Sequence, residues 1–189
     1  MTAKLIILDR DGVINHDSDK FIKSPEEWIP ISGSLEAIAN LNKSGYKVVV
    51  VTNQSGLARG LFDINSLASI HQKMHQKLSE VDGKIEEIIF CPHGPDDRCQ
   101  CRKPSPGMLL EIASRLEIDL KNIPVVGDSL RDLQAGMAVG ARPILVKTGK
   151  GRKTLNDPQF DKSISIYGDL SEFVTNFLNN TMSEHSGEK

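Results

Sequence analysis

A chain of 189 residues with a hydrophobic fraction of 39% can bury one substantial core, so a single domain is expected over residues 1–179, with residues 180–189 a flexible polar tail. The formal net charge of −2 leaves no footprint for nucleic acid or an anionic membrane surface, and no apolar run reaches signal-peptide or membrane-spanning length. All three cysteines fall between Cys91 and Cys101, which argues against a disulfide framework and for a reducing, cytoplasmic setting.

The first predicted element is a strand at Leu5-Ile6-Ile7-Leu8, four aliphatics of the kind buried on both faces of a parallel sheet. It runs into Asp9-Arg10-Asp11-Gly12. Alternation separates the two carboxylates from Arg10, and Gly12 allows a sharp turn or a close approach to a ligand. Such a pair can hold a hard cation such as Mg2+, or divide the work of nucleophile and proton donor. A solvated turn is the competing reading of these eight residues. A polar loop at His16–Lys20 follows, then a turn-rich connection in which Trp28 reads as a packing anchor.

Ser34 is the expected N-cap of a helix carrying Leu35, Ile38 and Leu41, with Gly45 as its stop. Lys47–Val51 is the second strand, and Thr52, Asn53, Gln54 and Ser55 after it are polar groups suited to phosphoryl oxygens. Leu67, Ile70, Met74, Leu78 and Val81 trace a helical face ending at Asp82-Gly83. His71 and His75 lie on that helix without a third ligand in view, so no metal is expected there.

A third strand over Ile85–Phe90 leads into Cys91, His93, Cys99 and Cys101. Three thiolates and an imidazole fill a tetrahedral Zn2+ site with no open position, so this metal is expected to be structural and to stiffen the intervening loop. Arg102 and Lys103 follow at once, ahead of a helix opened by Pro106-Gly107, where a point charge and a planar fork could each receive an anion. A fourth strand, Ile123–Val126, ends in Gly127-Asp128, and Asp128 is suited to complete the metal site begun at Asp9 and Asp11. Asp132 stands one turn further on as a supporting acid or a helix cap. A fifth strand at Ile144–Val146 precedes a basic, flexible turn at Thr148–Lys153, and Leu170, Phe173, Val174 and Phe177 mark a last helix.

The order Asp9-x-Asp11-Gly12, Thr52, Lys103, Gly127-Asp128-x-x-x-Asp132 resembles the phosphatases of the haloacid dehalogenase superfamily across most of the chain. That resemblance implies an α/β, Rossmann-like parallel sheet flanked by helices without a large cap domain. It also implies Asp9 as the nucleophile of an aspartyl phosphate and Asp11 as acid, then base. Mg2+ would sit on Asp9, the Asp11 carbonyl and Asp128, with Thr52 and Lys103 on the phosphoryl group. More narrowly, Asp9–Asn15, Thr52–Gly60 and the Cys91/His93/Cys99/Cys101 loop are similar to the D-glycero-D-manno-heptose-1,7-bisphosphate 7-phosphatase branch, which serves lipopolysaccharide core precursors. A monomer acting on a phosphorylated sugar is then expected, with Asn53 to Ser55 near its hydroxyls and Arg102 on its second phosphate or the sugar. The histidinol phosphate phosphatase branch shares the acids and the zinc loop. A catalytically silent zinc-stabilised binding module is the reading from another class.

Overall fold

The computed structural model describes residues 4–186. Five aliphatic-rich segments form strands β1 (Leu5–Leu8), β2 (Lys47–Asn53), β3 (Glu87–Cys91), β4 (Pro124–Gly127) and β5 (Arg142–Val146), joined by a short edge strand β6 (Ser165–Tyr167). All pair in parallel, in the order β3-β2-β1-β4-β5-β6. Alternation divides the side chains between two cores. Ile6, Leu8, Val48, Val50, Val126 and Val146 enter one, while Leu5, Ile7, Val49, Val51, Ile89 and Val125 enter the other. Strands buried on both faces need this unbroken apolar composition, which is why they were legible as runs.

Helices α1 (Ser34–Lys43), α2 (Ile64–Ser79) and α6 (Leu170–Ser186) contribute to the first core; α3 (Gly107–Leu116) and α4 (Leu130–Ala138) contribute to the second. Ser34 is not the N-cap of α1. Gly33, at φ 79°, takes that place, and the Ser34 hydroxyl instead donates to Ile14 O at 2.6 Å. That bond ties the helix to the long connection after β1. Trp28, fully buried, anchors the same connection, and Lys73 of α2 clamps it by donating to Pro25 O and Trp28 O.

The basic stretch after β5 is not a flexible turn throughout, because α5 (Gly151–Leu155) begins within it. A Cβ at Gly151 would lie 1.8 Å from Val146 O, and the Thr154 hydroxyl donates to Asp128 O, so the turn is packed against the end of β4. β6 escaped the sequence because it is three residues long and mostly exposed. α6 continues beyond residue 179 to Ser186; residues 187–189 of the expected tail lie outside the described residues.

Candidate active site

In a sheet of this order the chain leads from β1 to one side and from β4 to the other, so a crevice opens at the carboxyl ends of β1 and β4. A cavity of about 270 Å3 lies there, lined by Asp9, Asp11, Thr52, Lys103 and Asp128 among others. Asp9 is held at the tip of β1 by its own N–H, which donates to Val126 O at 2.9 Å. Its Oδ1 accepts from the Lys103 ammonium at 3.0 Å and from Arg10 N at 2.8 Å. Lys103 also donates to Asp132 Oδ1 at 2.6 Å and to Val51 O at 2.7 Å, which occupies its three protons. Burial alone would depress that ammonium, but Asp132 and Asp9 outweigh it and raise its pKa. Asp132 is fixed in turn by a capping box at the start of α4, where its Oδ2 accepts from the Ser129 N–H and hydroxyl.

Glycine makes this crowding possible. At Gly12, at φ 86°, a Cβ would meet Asp128 Oδ2 at 2.1 Å, and the same holds at Gly149, at φ 53°. Asp128 Oδ2 therefore sits between two backbones and accepts from Lys150 N at 2.7 Å. Ligand oxygens of Asp9, Asp128 and Asp132 all lie within 4.8 Å of one another. Burial and the neighbouring carboxylates push Asp9 up to about 7 and Asp128 up to about 8. Among the described residues, Asp9 Oδ2 and Asp128 Oδ1 carry no protein donor, whereas Asp132 is bonded to Lys103 and Ser129. Two free oxygens in a desolvated acidic cluster fit a hard divalent cation.

Asp11 points elsewhere. Its two oxygens accept from Arg10 Nε and Nη2, Asn15 Nδ2 and Gln54 Nε2, all between 2.8 and 3.2 Å. Burial pushes this carboxyl up, but Arg10 and the hydrogen bonds prevail, so its pKa lies below the ordinary value. Gln54 also donates to the Thr52 hydroxyl at 2.9 Å, linking the two motifs. The Asn53 amide holds both backbone groups of Lys103, at 3.1 Å each. Ser55, Asn53 and Gln54 line the cavity alongside Arg102.

The Cys91, His93, Cys99 and Cys101 side chains also converge. Sulfur–sulfur separations run from 3.1 to 3.7 Å, and His93 Nδ1 lies 3.6 Å from Cys91 Sγ and 3.2 Å from Cys101 Sγ. Bonds of about 2.3 Å to sulfur imply a tetrahedral edge of roughly 3.7 Å, so the four donors fit one Zn2+. Burial, with hydrogen bonding to the other two thiols that favours the neutral thiol, pushes Cys91 up to about 12, a cost that coordination of the thiolate removes. From this loop Arg102 donates to His93 O at 3.1 Å and faces the mouth of the cavity.

Residues 100–173 match the HAD-hydrolase-like family model. The D-glycero-β-D-manno-heptose-1,7-bisphosphate 7-phosphatase of Bordetella bronchiseptica is 55% identical over 93% of this chain and 98% of its own. That of Pseudomonas aeruginosa is 49% identical over 94% and 99%. The crystal structure of the B. bronchiseptica D,D-heptose 1,7-bisphosphate phosphatase complexed with magnesium and phosphate superposes with a TM-score of 0.92 at 54% identity, covering 94% of this chain and 99% of that one. The chain belongs to the D-glycero-β-D-manno-heptose-1,7-bisphosphate 7-phosphatase family.

Within that family framework, the residues picked out in the sequence meet in two places, the cavity floor and the zinc-loop cluster. Three cations at the cavity mouth were not singled out: Arg59, Arg131 and Lys150. Lys150 pairs with Asp17 at 2.6 Å, and Arg59 lies over the Phe21 ring at 5.7 Å, so both hold the polar loop across the opening. The usable signal for them was position, since each closely follows a strand-end motif. His71 Nε2 faces Arg10 Nη1 at 3.2 Å.

Proposed function

We propose that the chain is a magnesium-dependent phosphomonoesterase that removes the 7-phosphate of D-glycero-β-D-manno-heptose 1,7-bisphosphate, a step toward lipopolysaccharide core precursors. The observation that carries this reading is the pairing of a nucleophile at the cavity floor with cations at its mouth. Asp9 and Lys103 lie below, and Arg59, Arg102 and Arg131 stand above. Such a cavity suits a sugar with a phosphate at each end. It gives histidinol phosphate, with one phosphate and a cationic amine, no reason to bind at the mouth. Arg102 is depressed by burial and by Arg131, a repulsion that a bound phosphate would relieve.

In the proposed reaction a carboxylate oxygen of Asp9 attacks the 7-phosphorus and the bond to the sugar oxygen breaks. That oxygen takes the electron pair and a proton from Asp11, which takes that proton up from solvent on leaving its present hydrogen bonds, and the phosphoryl group stays on Asp9. Asp11, then a carboxylate, takes a proton from the water that hydrolyses the aspartyl phosphate. The Thr52 hydroxyl would donate to a phosphoryl oxygen, and the Lys103 ammonium, exchanging its contact with Asp9 for another such oxygen, would neutralise the phosphoryl charge, so the protein supplies position and charge neutralisation. Bound by Asp9 and Asp128, Mg2+ would offset the negative charge of the carboxylates and the phosphoryl group. Zn2+ on the Cys91, His93, Cys99 and Cys101 loop would stiffen the arm that carries Arg102 and Lys103. Phosphate release from the β-heptose bisphosphate should exceed that from histidinol phosphate by at least about a hundredfold at equal concentration. Equal release from both would overturn the substrate assignment.

Asp9 and Asp128 have folded pKa values of about 7 and about 8, above an unfolded value of 3.8. As pH rises through this window the unfolded chain has already released these protons while the fold is still giving them up, so stability falls. His71, lowered to about 4 by burial, Arg10 and His75, opposes this only below its unfolded 6.5. The Cys99 thiol, lowered against burial to about 7 by its hydrogen bonds, would oppose this in zinc-free protein, so the test keeps zinc bound: freed of Mg2+ alone, the protein should melt several degrees lower at pH 8 than at pH 6.5. Millimolar Mg2+ should abolish the difference. An Mg2+-free melting temperature that stays level or rises over this interval would contradict the assignment.

A further inference from the structure

Arg10 is fully buried, and a guanidinium can only donate hydrogen bonds. Its Nε and Nη2 edge grips Asp11, while Nη1 meets His71 Nε2 at 3.2 Å from the opposite side. The contact therefore requires His71 Nε2 to be the acceptor, which makes the imidazole neutral with its proton on Nδ1. Burial and Arg10 both favour that neutral form. Packing sets the ring plane, since His71 stands edge-on to Phe90 at 6.3 Å between centroids. His71 lies on α2, outside every motif named in the sequence, and it does not line the cavity.

The arrangement has a mechanical consequence. As Asp11 sits in the structure, its oxygens are saturated by Arg10, Asn15 and Gln54, which suits a carboxylate waiting to act as base. Delivering a proton requires the carboxyl to turn from this cradle toward the leaving oxygen. Once it turns, Arg10 is a buried cation that has lost its anion, and such a charge is strongly disfavoured unless another acceptor holds it. His71 is that acceptor. It keeps the guanidinium fork aimed at one place whether or not Asp11 is in it.

We propose that His71 is a positioning residue for proton delivery, acting through Arg10 on Asp11. The inference rests on the reading of Asp11 as the proton donor. His71→Phe keeps the ring against Phe90 and removes the acceptor, whereas His71→Gln can return an oxygen near the position of Nε2. Two substrates separate positioning from general damage. Expelling a sugar alkoxide needs a proton, whereas p-nitrophenyl phosphate releases a phenolate that is stable without one. For His71→Phe, kcat/KM on the heptose bisphosphate is expected to fall about tenfold, with p-nitrophenyl phosphate changed less than about twofold. His71→Gln should recover most of the loss. An equal fall on both substrates, no fall on either, or no recovery with glutamine would overturn the inference. Asp11→Asn serves as the control. If it shows no such dependence on the leaving group, the proton-donor reading itself fails and the role of His71 falls with it; if it shows the dependence and His71→Phe does not, only the positioning role fails.

Discussion

Asp9→Asn is expected to lower turnover on the heptose bisphosphate by at least about 10^4-fold, a loss of the size seen when a covalent nucleophile is removed. The substitution is nearly isosteric. An asparagine oxygen can still accept from Lys103 and from Arg10 N, so the packing around β1 has no reason to change. What disappears is the negative charge that makes the Asp9 carboxylate a nucleophile and lets it hold a cation. Removing one of three crowded carboxylates also relieves Asp128, whose raised pKa owes part of its shift to Asp9. The Mg2+-free variant should therefore melt within a few degrees of the unmodified protein at pH 8. Rapid-quench measurement of phosphate release, beside a thermal melt, tests both halves. Turnover within tenfold of the unmodified enzyme would remove Asp9 from the role of nucleophile.

The sheet could be read in the sequence because burial on both faces demands continuous aliphatic runs, as in Leu5–Leu8 and Val48–Val51. The polar residues that meet at the cavity lie just past those runs, so Asp9, Asp11, Thr52 and Asp128 could be picked out by position, with their order resembling the superfamily's motifs. The candidate zinc ligands stood out by composition, with every cysteine of the chain between Cys91 and Cys101. Where the reading failed, the determinant was tertiary. β6 is held by pairing with β5 rather than by an apolar run, and α5 by the close approach of Gly151 to β5. The bonds of the Asn53 amide to the Lys103 backbone join groups fifty positions apart, which no local pattern records. Arg10 was legible only as the residue between two acids. Its burial between Asp11 and α2 depends on how the helix docks.

Cys99→Ser is expected to abolish stoichiometric zinc and to lower the melting temperature by about 10 °C, as the loss of roughly 3 kcal/mol would in a domain of this size. Four ligands fill a tetrahedral site, and replacing one thiolate with a weak hydroxyl donor leaves the other three unable to close it. The consequences can be followed along the chain. Cys91 ends β3, and its carbonyl accepts from Gln54 N at 2.8 Å, so the metal loop and the Thr52 motif share a backbone bond. On the far side, Gly107 N donates to Gln100 O at 3.1 Å, which leads directly into α3. Lys103 between these anchors has further restraints in Asn53, Asp9 and Asp132, whereas the Arg102 side chain, among the described residues, is held by His93 O alone. Loosening the loop should thus disturb the cavity mouth before its floor. KM for the heptose bisphosphate is expected to rise about tenfold while kcat falls less, and p-nitrophenyl phosphate, which has no second phosphate, should be largely spared. Metal analysis, melting and steady-state kinetics on the one variant check each step. Unchanged zinc content would remove Cys99 from the ligand set, and a collapse of kcat with KM unchanged would show that the loop serves Lys103 rather than Arg102.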